Sequence, residues 1–123
     1  MAPPVGPYTP IVRAGDWLIV SGQVGLADGK LTGGGTAGQL RQAIANLEGL
    51  LVSEGASLAD VVKTTVFLRH MNDYSLMNET YTEAFGDHRP ARSAIGVAEL
   101  PVGALVEIEA WAWVGDGSTS GAD

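Results

Sequence analysis

The chain has 123 residues, of which 46% are hydrophobic and 17% charged, with no cysteine and a formal net charge of −7. One compact domain accommodates that length. Without cysteine there can be no disulfide, thiolate metal site, iron–sulfur cluster or cysteine nucleophile, and an acidic chain is a poor partner for nucleic acid or anionic membranes.

The residues before Tyr8 are proline-rich and read as extended, and Tyr8 to Val12 as a short extended piece. Gly15–Asp16 signals a turn. Trp17 to Val24 is rich in β-favouring residues and reads as a strand. Asp28–Gly29 marks a hairpin tip, and Thr32 to Gly35 a glycine-rich loop. Thr36 with Gln39 has the form of a capping box. Leu40, Ala43, Ile44, Leu47, Leu50 and Leu51 then recur at helical spacing, and Gly55 closes that helix. A short turn over Ser57 to Asp60 leads into a strand over Val61 to Leu68. In that strand Val61, Thr65 and Phe67 are expected on one face, with Val62, Thr64, Val66 and Leu68 on the other. Asn72 or Asp73 can cap a second helix carrying Tyr74, Met77, Tyr81, Ala84 and Phe85 on one stripe, stopped by Gly86 and Pro90. Arg92 to Val97 reads as a strand, Pro101 and Gly103 as a turn, and Leu105 to Val114 as the last strand. The tail from Gly115 to Asp123 has one apolar residue, an alanine, and is expected to be disordered after a single domain over residues 1–114.

The last strand carries Val106, Ile108, Ala110, Ala112 and Val114 at even positions, an apolar face that suits helices. Its odd positions are Leu105, Glu107, Glu109, Trp111 and Trp113. A solvated face rarely carries two tryptophans, so a partner subunit is expected to cover it. The low charge agrees, since about 25% is usual in a soluble domain. The longest apolar runs fall far short of the roughly 18 residues of a spanning helix. The first residues show no basic or apolar export segment, so a cytoplasmic protein is expected.

Few residues suggest chemistry. Gly33–Gly34–Gly35 before a helix looks somewhat like a phosphate cradle, but no Gly-Lys-Ser/Thr follows and a connector is the plainer reading. His70 and His88 stand outside any metal-binding motif, and no metal is expected. Arg92 opens a strand after Pro90 and offers a planar fork for a carboxylate, or else a salt bridge to Glu83, Asp87 or Glu99. Glu107, beside the tryptophans, can act as a base if half-dry, or form an ion pair. Asn78 and Tyr81 lie one helical turn apart. Tyr8 sits on a stiff segment and either covers a pocket or packs on the sheet edge.

Six short motifs in order resemble the Rid family, the reactive intermediate deaminases of the YjgF type: Gly6–Pro7–Tyr8, Val20–Ser21–Gly22–Gln23, Val61 to Val66, Asn78–Glu79–Thr80–Tyr81, Pro90–Ala91–Arg92–Ser93 and Val106 to Ala110. They span roughly residues 3 to 114. The resemblance implies a chorismate-mutase-like α+β fold: a mixed sheet with two helices on one face, assembled as a homotrimer around a central barrel with sites between subunits. It implies hydrolysis of 2-imino acids and enamines such as 2-aminoacrylate, released by pyridoxal-phosphate enzymes, to a 2-keto acid and ammonium, with no cofactor. By the motifs, Arg92 would bind the substrate carboxylate and Glu107 would activate water, while Tyr8, Ser21, Gly22 and Asn78 would shape the cleft. The chain departs from the family pattern at Ala94, where many members have cysteine, and at Asp87–His88–Arg89, a charged approach to Pro90 that bears on substrate preference. Deamination of 3-aminoacrylate or of a specialised pathway imine is an alternative, and so is a non-enzymatic, chaperone-like or ligand-binding trimer. A ribonuclease role attributed to relatives fits poorly with the charge.

Overall fold

A computed structural model of the chain describes Pro4 and residues 6–115. Two strands, β1 (Ile11–Ala14) and β2 (Trp17–Val24), form the first hairpin across the Gly15–Asp16 turn. β3 (Leu26–Ala27) and β4 (Lys30–Leu31) form a second, tiny hairpin. Its tip places Asp28 at φ 54° and Gly29 at φ 79°, the positive pair that a tight hairpin turn requires. Helix α1 (Gly35–Ser53), strand β5 (Val61–Leu68), helix α2 (Tyr74–Phe85), and strands β6 (Ala91–Gly96) and β7 (Val106–Trp113) complete the order. The main sheet runs β1-β2-β7-β5-β6. β5 and β6 are parallel, joined by the α2 crossover, and the remaining pairs are antiparallel. This is the mixed-sheet α+β architecture with two helices that the motifs imply.

The core lies between the sheet and the helices. Leu40, Ala43, Leu47 and Leu51 of α1 and Met77 of α2 are fully buried against Leu18, Val66, Leu68, Ile108, Ala110 and Ala112. Burying each large aliphatic side chain contributes about 1.5–3 kcal/mol. The even positions of β7 are buried as its alternation requires, while Trp111 on the opposite face is 42% exposed. Trp17 packs edge-on against both Trp111 and Trp113, with ring centroids 5.6 and 5.0 Å away. The outer face of the sheet therefore carries an aromatic cluster that no helix among the described residues covers.

Several sequence expectations need correction. Thr36 and Gln39 do not form a capping box. Helix α1 starts earlier, with Gly34 as its N-cap, so Thr36 already lies within the first turn. Its hydroxyl donates instead to the Asp73 carboxylate (2.7 Å), tying the starts of α1 and α2 together, and Gln39 Oε1 accepts the Leu105 amide (2.8 Å). Asp73 is the N-cap of α2 but its side chain makes no capping bond, because the carboxylate is turned to Thr36. The C-terminus of α1 behaves as expected. Gly55 is left-handed at φ 80°, and the amides of Gly55 and Ala56 donate to the carbonyls of Val52 and Leu51, a Schellman closure.

In β5, Val61 is fully buried and Val62 is 41% exposed, the reverse of the expected alternation. A register shift between Val61 and Lys63 against β7 inserts one residue and flips the face. The piece from Tyr8 to Val12 is not one extended segment. The Tyr8 amide donates to the Gly6 carbonyl (2.9 Å), a tight bend, and β1 begins only at Ile11. Gly115, expected at the head of a disordered tail, is buried beside Asp16 and Trp113. The rest of that tail lies outside the described residues. Among the described residues no helix is long and apolar enough to cross a membrane.

Candidate active site

The residues singled out in the sequence fall into two groups on opposite faces of the sheet. The first group surrounds Glu107. Between Val20 and Gln23 the pairing of β2 with β7 shifts, so that Ser21 and Gly22 together oppose a single residue of β7. Such a bulge bends the strand and redirects side chains. Beyond it, Val24 pairs with Glu107 and turns to the same side. Gly22 presses against the Glu107 carboxylate so closely that a methyl group on its Cα would overlap Oε2.

Ser21 locks the approach of the N-terminal segment. Its hydroxyl donates to the Thr9 carbonyl (2.6 Å) and its amide to the Pro10 carbonyl (2.9 Å). Those bonds deliver Tyr8 to a cavity of about 340 Å³ lined by Tyr8, Ser21, Gly22, Val24, Glu107 and their neighbours Pro101 and Glu109. Burial in that cavity pushes the Glu107 carboxyl above the usual range, and the negative charge of Glu109 adds to the push. A carboxylate so placed is a better proton acceptor than a solvated one.

The second group surrounds Arg92. Arg92 pairs in register with Thr64, which in turn pairs with Ala110, and both neighbours are fully buried on the helix side. Its guanidinium therefore points toward α2. There Tyr74, Met77, Asn78 and Tyr81 fall on one stripe at i, i+3, i+4 and i+7. The guanidinium lies over the Tyr81 ring, 4.9 Å from its centroid, and 5.7 Å from that of Tyr74. Its Nη2 donates to the Tyr74 hydroxyl (3.2 Å), and Nη1 lies 3.5 Å from Met77 Sδ. Tyr81 is held by a buried hydrogen bond between its hydroxyl and that of Thr64 (2.7 Å). Burial raises the Tyr81 phenol above its ordinary range, with the Thr64 bond and the positive charge of Arg92 opposing the rise.

Among the described residues no carboxylate pairs with Arg92. Glu83, one of the candidate partners, bridges Arg41 instead (3.4 Å). Ala94 pairs with Val66 two residues along and packs on the edge of the core. Asn78 has a buried Oδ1 with no hydrogen-bond partner. Of the charged approach to Pro90, His88 and Arg89 bond elsewhere, although the Arg89 charge still acts on the Tyr81 phenol. His88 Nε2 lies 2.7 Å from the Val61 carbonyl at the β5 bulge, and Arg89 is turned back onto the carbonyls of Gly86 and His88.

Within one chain, then, Tyr8, Ser21, Gly22 and Glu107 share one cavity, while Asn78, Arg92 and Ala94 belong to the other face. Glu107 pairs with Phe67, whose side chain is on the outer face, and Arg92 with the inward-facing Thr64. In the sequence Tyr74 and Met77 of the Arg92 cradle stand out only as part of a helix stripe, whereas Tyr81 also stands one turn from Asn78 within a family motif. Their helical spacing was visible, but not which strand residue they would face. Glu109 and Pro101, beside Glu107, carried no signal beyond proximity in the chain. The Gly33–Gly34–Gly35 loop turns its Gly33 carbonyl onto Gly38 at the start of α1, which suits a connector.

The profile of the family described as Endoribonuclease L-PSP matches residues 1–114. A RutC family protein of Pyrococcus horikoshii is 43% identical over 112 residues, 89% of each chain. A human protein named 2-iminobutanoate/2-iminopropanoate deaminase is 40% identical over 118 residues, 94% of this chain and 86% of that one. The crystal structure of RidA from an Antarctic Psychrobacter superposes with a TM-score of 0.88 at 34% identity, covering 91% of this chain and 92% of that one.

Proposed function

The chain belongs to the endoribonuclease L-PSP family, the YjgF/RidA family that its motifs resemble, and from that premise we propose that it is a hydrolytic deaminase of 2-imino acids and their enamine tautomers. The human relative's name supplies the substrate class. The observation that carries the reading is Arg92: a half-buried guanidinium, braced by two tyrosines and a methionine, that no carboxylate of the described chain neutralises. Such a group suits the carboxylate of a small 2-imino acid in a forked, bidentate contact.

Glu107 is the general base. It takes a proton from water as the water oxygen bonds to the imine carbon. The resulting carbinolamine takes that proton back from Glu107 onto nitrogen. The freed carboxylate then removes the hydroxyl proton as the C–N bond breaks, so that ammonia leaves, to be protonated to ammonium, and the 2-keto acid remains. The imine carbon is already electrophilic, so positioning and one base suffice; general base catalysis typically contributes about 10²–10⁴-fold. Asn78, with its unpartnered carbonyl oxygen, offers an acceptor for an N–H of the substrate. Tyr8, Ser21, Gly22 and Ala94 shape the walls.

Because Arg92 and Glu107 face opposite sides of the sheet, one complete site requires the Arg92 of one subunit and the Glu107 of another. We place these sites in a homotrimer whose contacts cover the outer sheet face, with its exposed Trp111 and Ile95. The reading also places the protein in the cytoplasm, where imines released by pyridoxal-phosphate enzymes would be met. RNA is not the expected substrate despite the family's description, since a charge of −7 repels phosphate.

The test generates 2-iminobutyrate in place with an amino-acid oxidase and traps what survives with semicarbazide. Wild type is expected to suppress the semicarbazone, and Arg92→Ala to lose about 10²-fold or more in kcat/KM as the carboxylate anchor disappears. A folded Arg92→Ala protein of full activity overturns the proposal.

A further inference from the structure

Tyr74 stands out among the groups around Arg92. The residue is 41% exposed, and its hydrogen bond to Arg92 lies at the surface rather than in the core. The hydroxyl oxygen accepts one N–H from Arg92 Nη2 at 3.2 Å. Among the described residues the phenol proton itself has no protein acceptor. Tyr81 differs in this respect, since its hydroxyl is occupied by Thr64. A guanidinium has five N–H donors in a fixed plane. With one directed at Tyr74 and one toward Met77 Sδ, three remain, and the plane is fixed by the Tyr81 face below it.

We propose that Tyr74 is a positioning and specificity residue for anionic substrates: its hydroxyl fixes the rotation of the Arg92 fork and leaves its own proton for the carboxylate that Arg92 holds. The carboxylate then meets the guanidinium and a phenol O–H side by side. Three donors aimed at two oxygens select a planar anion over a neutral carbonyl. This proposal rests on the deaminase reading of the same site.

The test compares wild type, Tyr74→Phe, Tyr74→Leu and Arg92→Ala in the trapped-imine assay. It also measures competitive inhibition by 2-oxobutanoate and by its neutral methyl ester. Tyr74→Phe keeps the ring near the guanidinium and removes only the hydroxyl. It is expected to raise KM for the imino acid, and Ki for 2-oxobutanoate, by about three- to tenfold, with kcat little changed and Ki for the ester unmoved. Tyr74→Leu adds loss of the ring and is expected to weaken 2-oxobutanoate further. A merely structural role would move kcat, or both inhibitors together. If Tyr74→Phe binds 2-oxobutanoate as wild type does while Arg92→Ala does not, the role of Tyr74 is overturned and the deaminase reading stands. If folded Arg92→Ala also behaves as wild type, the deaminase reading itself falls.

Discussion

Glu107 is placed by backbone, Arg92 by side chains. On the Glu107 side, a bulge in β2 brings Ser21 and Gly22 opposite one residue of β7, and bare main chain at Gly22 backs the carboxylate. Tyr8 lines the cavity, but the carboxylate itself is backed by main chain rather than by a large side chain. On the Arg92 side, the strand is regular, and the guanidinium is held by the phenol rings of Tyr74 and Tyr81 and the sulfur of Met77, all from one helix stripe. The first half should therefore fail abruptly when a single methyl group is added, and the second should weaken in steps as side chains are trimmed.

Gly22→Ala is the sharpest way to break that contrast. The added methyl has no room beside Glu107, but the obstacle is the end of a flexible side chain, so the carboxylate moves and the fold survives. Displacing a base by about 1 Å can cost about 10²-fold in rate. The expected outcome is a loss of that order in kcat, with an unchanged circular dichroism spectrum and near-normal inhibition by 2-oxobutanoate, because the Arg92 half is untouched. The stepwise loss expected for Tyr74→Phe and then Tyr74→Leu is the corresponding probe of the other half.

A smaller effect, opposite in sign, sharpens the same comparison through stability. The folded protein holds the Glu107 carboxyl above its ordinary range, through burial first and Glu109 second. The native state thus binds the proton more tightly than the unfolded chain, whose glutamate titrates near 4.3, and stability falls as pH rises from there through the raised folded value. Glu107→Gln mimics the protonated form. It should be inactive yet melt higher than wild type at pH 7, and this advantage should vanish below about pH 4. Thermal denaturation of both proteins across that range checks it. On the proposed mechanism, wild-type activity should also fall as pH drops through the raised value, since Glu107 must be ionised to accept a proton from water.

The contrast between the halves also explains what could be read before folding. β2 and β5 follow their β-favouring runs to the residue, and the alternation in β7 placed Glu107 on the face away from the helices. The stripe on α2 showed which residues would look toward the sheet. The bulges were not legible, because an extra residue in a strand leaves no mark on composition. Yet the β5 bulge exchanged Val61 and Val62, and the β2 bulge built the Glu107 cavity. Thr36 and Gln39 matched a local capping pattern but serve long-range contacts to Asp73 and Leu105, since the glycines before them already start the helix. Nor did β6 reveal its inner face. Ala91, Arg92, Ser93, Ala94, Ile95 and Gly96 have no clean alternation, so the side of the sheet that Arg92 takes emerges only from its register with Thr64.

That placement carries the central claim of the proposed function: Arg92 and Glu107 of one chain lie on opposite faces of the sheet, so one site takes them from different subunits. The most direct measurement mixes two inactive variants, Arg92→Ala and Glu107→Gln, by co-expression or joint refolding, and assays imine hydrolysis. If each site takes its arginine from one subunit and its glutamate from the next, random assembly restores about one quarter of wild-type activity, because that fraction of sites receives both intact residues. Activity no higher than that of the separate variants, from a demonstrated mixed assembly, would contradict the account and require both groups to act within a single chain.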